Sequence, residues 1–198
     1  EKWIICDDGQ RFRIGEFNLW GFIDPGGFAE MRLQKKGSRN AILIGGQPRE
    51  STRKFVLDTW AGRLLEPSKF LDRVFDMQDL WHIRAWMVET VGAQKYIFRD
   101  IQQEKRLRKR ALTIVEMPPD TSRGAKDSDI LALMAPFQNG EIFLHRRMKE
   151  LIGEIRSYPT GLTVDLLDML GKINRYRWTR RKPDEIRAYG RPAPPPAL

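Results

Sequence analysis

The chain contains one cysteine, Cys6, and two histidines, His82 and His145. A single thiol excludes an internal disulfide and a thiolate zinc site. So few imidazoles also leave a histidine-rich metal centre or a Ser-His-Asp triad without material. No apolar stretch is long enough to cross a bilayer, so no membrane is expected as a partner. A glycine-rich phosphate loop followed by Lys-Ser or Lys-Thr is missing as well, and ATP is therefore not an expected ligand. Gly45-Gly46-Gln47-Pro48 lacks the spacing of such a loop and reads as a turn. Any catalysis is left to carboxylates.

What the chain does have is enough apolar material for one core. Its 198 residues are 41% hydrophobic, with six Trp and ten Phe, which argues against disorder and for one α/β domain. The formal charge of +9 points to a polyanionic partner such as nucleic acid. Because the chain opens on Glu and not Met, we expect a longer protein with a missing portion upstream. Residues 1–18 then read as a lead-in, 19–180 as the domain, and 181–198 as a proline-rich tail.

Along the chain, Leu19 to Asp24 reads as a strand buried on both faces and stopped by Pro25-Gly26-Gly27. Asn40 to Gly45 and Lys54 to Trp60 read as two more strands, joined by a polar turn around Gly46 to Thr52. The spacing of Phe70, Leu71, Val74 and Phe75 after Pro67 predicts a helix, which feeds a strand ending at Glu89. A helix from Ala93 to Arg110 leads to a strand over Leu112 to Val115. Then come a short helix from Ser128 to Ala135 ended by Pro136, a strand over Glu141 to Leu144, and helices from Met148 to Ser157 and Val164 to Trp178. The predicted fold is a mixed sheet, a three-strand meander followed by βα units, flanked by helices.

Two of the strands end in one carboxylate each, Asp24 and Glu89, and Asp165 and Asp168 stand a helical turn apart near the end of the chain. A carboxylate closing a buried strand is costly unless a cation meets it. Taken singly, each has a plainer role: Asp24 as a turn initiator, Glu89 as a strand-end surface group, the two late aspartates as helix N-terminal residues favoured by the macrodipole. Taken together, in this order on the first strand, the fourth strand and a late helix, they have the chemistry that holds two Mg²⁺ or Mn²⁺ ions for phosphodiester cleavage. On a helical wheel Leu166, Leu170 and Ile173 form one face while Asp165, Asp168 and Lys172 occupy another, which points either to the sheet edge or to water.

Five motifs make the chain resemble the C-terminal nuclease domain of the large terminase subunit of tailed bacteriophages, a ribonuclease H-like fold. They are Phe22-Ile23-Asp24-Pro25-Gly26-Gly27, Val56-Leu57-Asp58-Thr59-Trp60, Met87-Val88-Glu89-Thr90-Val91-Gly92, Leu133-Met134-Ala135-Pro136-Phe137-Gln138-Asn139-Gly140, and Tyr158-Pro159-Thr160-Gly161 leading to Asp165 and Asp168. The sequence departs from the family pattern at Asn40 and Val164, where that pattern often carries acids. The resemblance implies a metal-dependent endonuclease cutting concatemeric double-stranded viral DNA during genome packaging in the cytoplasm of an infected bacterial host. Its implied partners are double-stranded DNA, an upstream ATPase domain, the small terminase subunit and the portal. Asp24 would bridge two ions, Glu89 and Asp165 would each complete one site, and Asp168 would stand beside Asp165 or support it. Rival readings are a junction resolvase or transposase of the same fold, and a decayed DNA-binding module of a packaging motor.

For holding DNA, the basic run Lys105, Arg106, Arg108 and Lys109 can track phosphates, and Arg123 and Lys126 lie in a loop that can approach the acids. The run reads equally well as a solvated helix end. No helix-turn-helix or zinc module is present to read base edges, so weak sequence preference is expected.

Overall fold

The computed structural model describes residues 2–26, 39–63, 66–89, 95–117 and 124–178, with side chains of 95–98 left aside. Arg123, the expected helix start at Ala93 and the proline-rich tail lie outside the described residues. The long apolar runs become the strands β3 (Phe17–Asp24), β4 (Asn40–Pro48) and β5 (Lys54–Gly62), an antiparallel meander. Two short strands precede them, β1 (Trp3–Ile5) and β2 (Arg11–Arg13), paired as a hairpin. Helix α1 (Pro67–Trp81) returns the chain to β6 (Ala85–Glu89), which lies parallel to β3, and α2 (Lys95–Leu107) returns it to β7 (Ile114–Met117), parallel to β6. Beyond α3 (Ala125–Leu131) and α4 (Met134–Gln138), β8 (Ile142–Leu144) joins β5 in parallel. Helices α5 (Lys149–Ser157) and α6 (Asp165–Tyr176) follow, and the sheet order is β7-β6-β3-β4-β5-β8. The meander followed by βα units is therefore the architecture that forms.

Alternation along the strands divides the core in two. On one face Leu19, Ile23, Ile42, Ile44, Trp86 and Val88 pack with Phe70, Leu71, Val74 and Phe75 of α1 and Ile101 of α2. On the other, Phe22, Ala41, Leu43 and Met87 pack with Leu166, Leu167, Leu170 and Ile173 of α6. The hairpin before β3 belongs to the first face: Cys6 is buried there, and the Phe12 ring lies 5.2 Å from that of Phe55.

Two local expectations are corrected. Gly45-Gly46-Gln47-Pro48 is not a turn but the second half of β4, paired with Phe17 to Trp20 and buried throughout. A Cβ at Gly45 would stand 2.3 Å from Ile173 Cδ1, and one at Gly46 would stand 2.8 Å from both Leu19 and Phe17 side chains. The glycines mark close approach by neighbours, the other meaning a glycine has in a strand. Between Ile44 and Gly45 the register with β5 shifts, leaving Leu57 as the extra residue of a bulge. The second correction concerns Pro136, which does not end a helix. The break falls between Leu131 and Met134, and Pro136 sits in the first turn of α4, where its missing N–H costs nothing.

Gly21 is the tightest of the sheet's glycines. A Cβ there would stand 2.2 Å from the indole of Trp86, which is fully buried and donates from Nε1 to Gln78 Oε1 at 2.6 Å. The ring cannot yield without breaking that bond. Gly21→Ala is expected to cost about 1–3 kcal/mol, read as a lower urea midpoint with an unchanged slope. A parental midpoint would show that the sheet accommodates the methyl.

Candidate functional site

Asp24 and Glu89 share one face by arithmetic. Counting by twos, Asp24 follows Phe22 and Glu89 follows Met87, both on the α6 side of the sheet. The parallel register pairs Ile23 with Val88, so the two acids close neighbouring strands side by side at their carboxyl ends. In open α/β sheets ligands bind outside those ends. The turn that frees Asp24 is built into the next residues. Its Oδ1 accepts from the Gly26 N–H at 3.1 Å, and Gly26 adopts φ 53° with its Cα pressed toward the Arg39 carbonyl, where a Cβ would come within 2.7 Å. Only glycine meets both demands.

Helix α6 crosses this end and supplies the remaining charges. Its wheel is buried nearly all round, because Leu167, Met169 and Gly171 are covered as well as the expected Leu166, Leu170 and Ile173. Gly171 permits this: a Cβ there would lie 2.9 Å from the Asp129 backbone of α3. Arg175 holds the same contact by donating to both Asp129 oxygens at 3.2 and 3.3 Å. The stripe of Asp165, Asp168 and Lys172 therefore faces protein and not bulk water, settling the choice that the wheel left open.

Lys172 Nζ donates to Glu89 Oε2 at 2.5 Å and stands 3.2 Å from Asp168 Oδ2, one turn back on its own helix. Lys126 of α3 approaches the same Asp168 oxygen at 3.6 Å. The other oxygen, Asp168 Oδ1, is buried without a hydrogen-bond partner. Asp165 is held differently. Arg39 donates from Nε to its Oδ2 at 2.9 Å, and from its other nitrogens to Glu150 at 3.1 Å and Glu154 at 2.7 Å. Glu154 in turn accepts the Leu167 N–H at 2.9 Å, fastening α5 to the start of α6.

The electrostatics follow from crowding. Burial pushes the Asp24 carboxyl above its ordinary range; the Gly26 N–H and Lys172 oppose this, while Asp165 and Glu89 reinforce it. Burial raises Glu154 too, against the pull of the Leu167 N–H and Arg39. For Lys172 burial alone would lower the ammonium, but Asp168, Glu89 and Asp24 outweigh it and hold it above the usual lysine range.

All four expected acids thus lie at one end of the sheet. Lys126 joins them, but the run Lys105, Arg106, Arg108 and Lys109 does not. Helix α2 leaves the carboxyl end of β6 and packs on the opposite face, so its basic C-terminus lies at the other end of the strands. Arg108 is already occupied by Glu104 at 2.7 Å and Asp72 at 2.6 Å. A groove of about 580 Å³ around Lys2, Arg13, Trp81 and Arg84 also lies at that far end and contains none of the acids. Lys172 and Arg39 also meet these acids, and neither is among the residues expected there from the sequence. Lys172 was legible as the next residue of the acidic stripe, whereas Arg39 had no local signal.

The oxygen-only donor set, with one buried Asp168 oxygen lacking a partner, fits a hard divalent cation. Among the described residues no three acidic, histidine or cysteine side chains form a ready cage, since the carboxylates are drawn onto Lys172 and Arg39.

The chain matches no protein-family model and no curated protein. Its fold does match solved structures. The P22 large terminase nuclease domain aligns over 87% of each chain with a TM-score of 0.58 and 13% identity. The human cytomegalovirus terminase nuclease domain, Mn soaked and inhibitor bound, aligns over 82% of this chain and 85% of that one, with a TM-score of 0.56 and 10% identity. At these identities the likeness is one of fold, and it is the ribonuclease H-like terminase nuclease fold that the order of motifs implied.

The raised Asp24 carboxyl carries a sign that can be tested. An acid whose folded pKa is raised costs native stability when ionised, and the cost disappears as pH falls through that pKa. In metal-free buffer at neutral pH, Asp24→Asn is expected to melt above the parent, with the gap closing on acidification. A variant that melts at or below the parent over the whole range would show that Asp24 is not under strain.

Proposed function

We propose that the chain is a metal-dependent DNA endonuclease of terminase type, cutting concatemeric double-stranded viral DNA during genome packaging. The observation that carries this reading is the meeting of Asp24, Glu89, Asp165 and Asp168 at one end of a sheet with the terminase nuclease fold. The Mn-soaked cytomegalovirus domain supports a divalent ion as cofactor. In the complete machine, an upstream ATPase domain, the small terminase subunit and the portal would accompany the nuclease inside an infected bacterial cell.

Asp24, Glu89, Asp165 and Asp168 would hold the Mg²⁺ or Mn²⁺ ions. When bound, such ions lower the pKa of water and stabilise a leaving oxygen. The chain's own contribution is positional. The Gly26 N–H orients Asp24, Arg39 orients Asp165, and the α3–α6 contact at Gly171 holds Asp168 against the sheet. No step needs a histidine. His145 is exposed and its Nδ1 accepts the Arg147 N–H at 3.1 Å.

Supercoiled plasmid should be nicked and linearised with Mn²⁺ or Mg²⁺ and left intact in EDTA. Asp24→Ala should lower the rate at least ~100-fold, as expected when several kcal/mol of charge stabilisation is lost. Asp165→Asn should lose nearly all cleavage and Asp168→Asn less, with partial recovery at high Mn²⁺. Cutting that persists in EDTA, or an Asp24→Ala enzyme as fast as the parent, would remove the basis of this reading.

For DNA holding, Lys126 is the cation placed beside the acids, and each lost phosphate contact flattens log K against log salt by ~0.9. Lys126→Ala is expected to show that change by fluorescence anisotropy on unrelated duplexes. Replacing Lys105, Arg106 and Lys109 together should leave the slope as it was. The opposite pattern would move the DNA path to the far end of the sheet.

A further inference from the structure

Lys172 does what a metal ion in a nuclease would do. Its ammonium bridges carboxylates from two elements, Glu89 at the end of β6 and Asp168 on α6, at 2.5 and 3.2 Å. The side chain is only 17% exposed, and its partners are 20% and 8% exposed, so the bridge is enclosed. It is not a surface ion pair of the kind that contributes little. Its stem reaches Glu89 from the stripe that carries Asp165 and Asp168, so the helix that delivers two acids to the site delivers a cation with them. Asp165 lies apart from this bridge, on Arg39, and Asp24 feels the charge of Lys172 as well as those of Asp165 and Glu89. The cluster is thus divided. Asp24 and Asp165 form one half, where Arg39 holds Asp165. Glu89 and Asp168 form the other half, where an ammonium already sits. The oxygen that Lys172 does not reach, Asp168 Oδ1, is buried and without a hydrogen-bond partner, as expected of a group whose second ligand has yet to arrive.

We propose that Lys172 is a resident cation that holds the position of the second divalent ion between Glu89 and Asp168, so that this ion binds only by displacing the ammonium. The proposal rests on reading the cluster as a metal centre. It makes the two ions unequal: the one between Glu89 and Asp168 competes with a tethered ammonium that bridges both of its ligands, whereas the one at Asp24 and Asp165 meets a guanidinium that Arg39 shares with Glu150 and Glu154. Lys172 also lets the acids lie buried together before any ion is present, which four carboxylates alone would resist.

Counting Mn²⁺ on the full chain by electron paramagnetic resonance and calorimetry tests this, using the parent, Lys172→Met and Lys172→Arg. The parent should bind one ion tightly and a second at least ~10-fold more weakly, as competition with a like charge requires. Lys172→Met should bind both with similar affinity, the second tightened by about tenfold or more, and Lys172→Arg should behave as the parent. In EDTA, Lys172→Met should melt lower than the parent and gain more from Mn²⁺, because Glu89 and Asp168 lose their cation. Should Lys172→Met fail to fold, the parent suffices. With ¹⁵N-labelled lysine, the Nζ signal that is missing from Lys172→Arg should shift during the second Mg²⁺ binding event and not during the first. Equal affinities in the parent and Lys172→Met, or an Nζ signal unmoved by the second ion, would overturn the proposal and leave the nuclease reading standing. No Mn²⁺ bound by either protein would overturn both.

Discussion

Like charges kept close together govern this end of the molecule. Asp24, Glu89, Asp165 and Asp168, joined by Glu150 and Glu154, converge where β3 and β6 finish, and the fold answers them with Arg39, Lys172 and Lys126. Among the described residues these acids outnumber the cations that meet them. Arg39 is shared among three acids through the forked geometry of its guanidinium, which a lysine could not reproduce. Lys172 serves two by lying between them. The rest of the architecture keeps these groups from drifting apart: Gly26 tightens the exit of β3, Gly171 lowers α6 onto α3, and Glu154 ties α5 to the α6 backbone.

How much of this was readable beforehand depended on whether the signal was local. An apolar run ended by an acid and a glycine turn is a local pattern, and it marks β3 and β6 with Asp24 and Glu89 at their ends. The meander and the later βα units followed from strand order, and the family likeness followed from the order of motifs. Alternation by twos even assigns both acids to one face once the partner strand is known. Gly45 to Pro48 misled because glycine and proline mark turns far more often than crowded strand centres, and the crowding comes from Ile173 more than a hundred residues away. The orientation of the Asp165, Asp168 and Lys172 stripe was undecidable from the wheel, since burial of α6 on several sides depends on α3. Arg39 could not be recognised locally, because each of its acids lies far along the chain.

The basic character of the chain is spent unevenly. Arg108 and Arg110 answer acids of the first helix and its neighbours, Arg175 fastens α3, and Arg177 lies 4.5 Å over the Trp20 ring. Trp178 is buried in the core against α6. A formal excess of positive charge therefore overstates the cations available to a polyanion. For the proposed DNA contact, what counts is where a cation stands relative to the acids, and Lys126 stands beside them.

The bulge at Leu57 has a consequence for the company the protein keeps. Strand β8 covers only Lys54 to Val56 of β5, so the outer edge beyond Val56 faces no further strand among the described residues. Open edges of this kind recruit strands from other molecules and seed aggregates. Here the bulge breaks the edge's regular repeat where β8 ends, and the next residue is an acid: Asp58 accepts the Thr59 N–H at 2.9 Å and the Trp81 indole N–H at 3.0 Å. A charged side chain thus occupies one donor that an invading strand would need, and a kink spoils the register of the others. The domain is thereby spared sheet-to-sheet growth along the longest edge left open among the described residues.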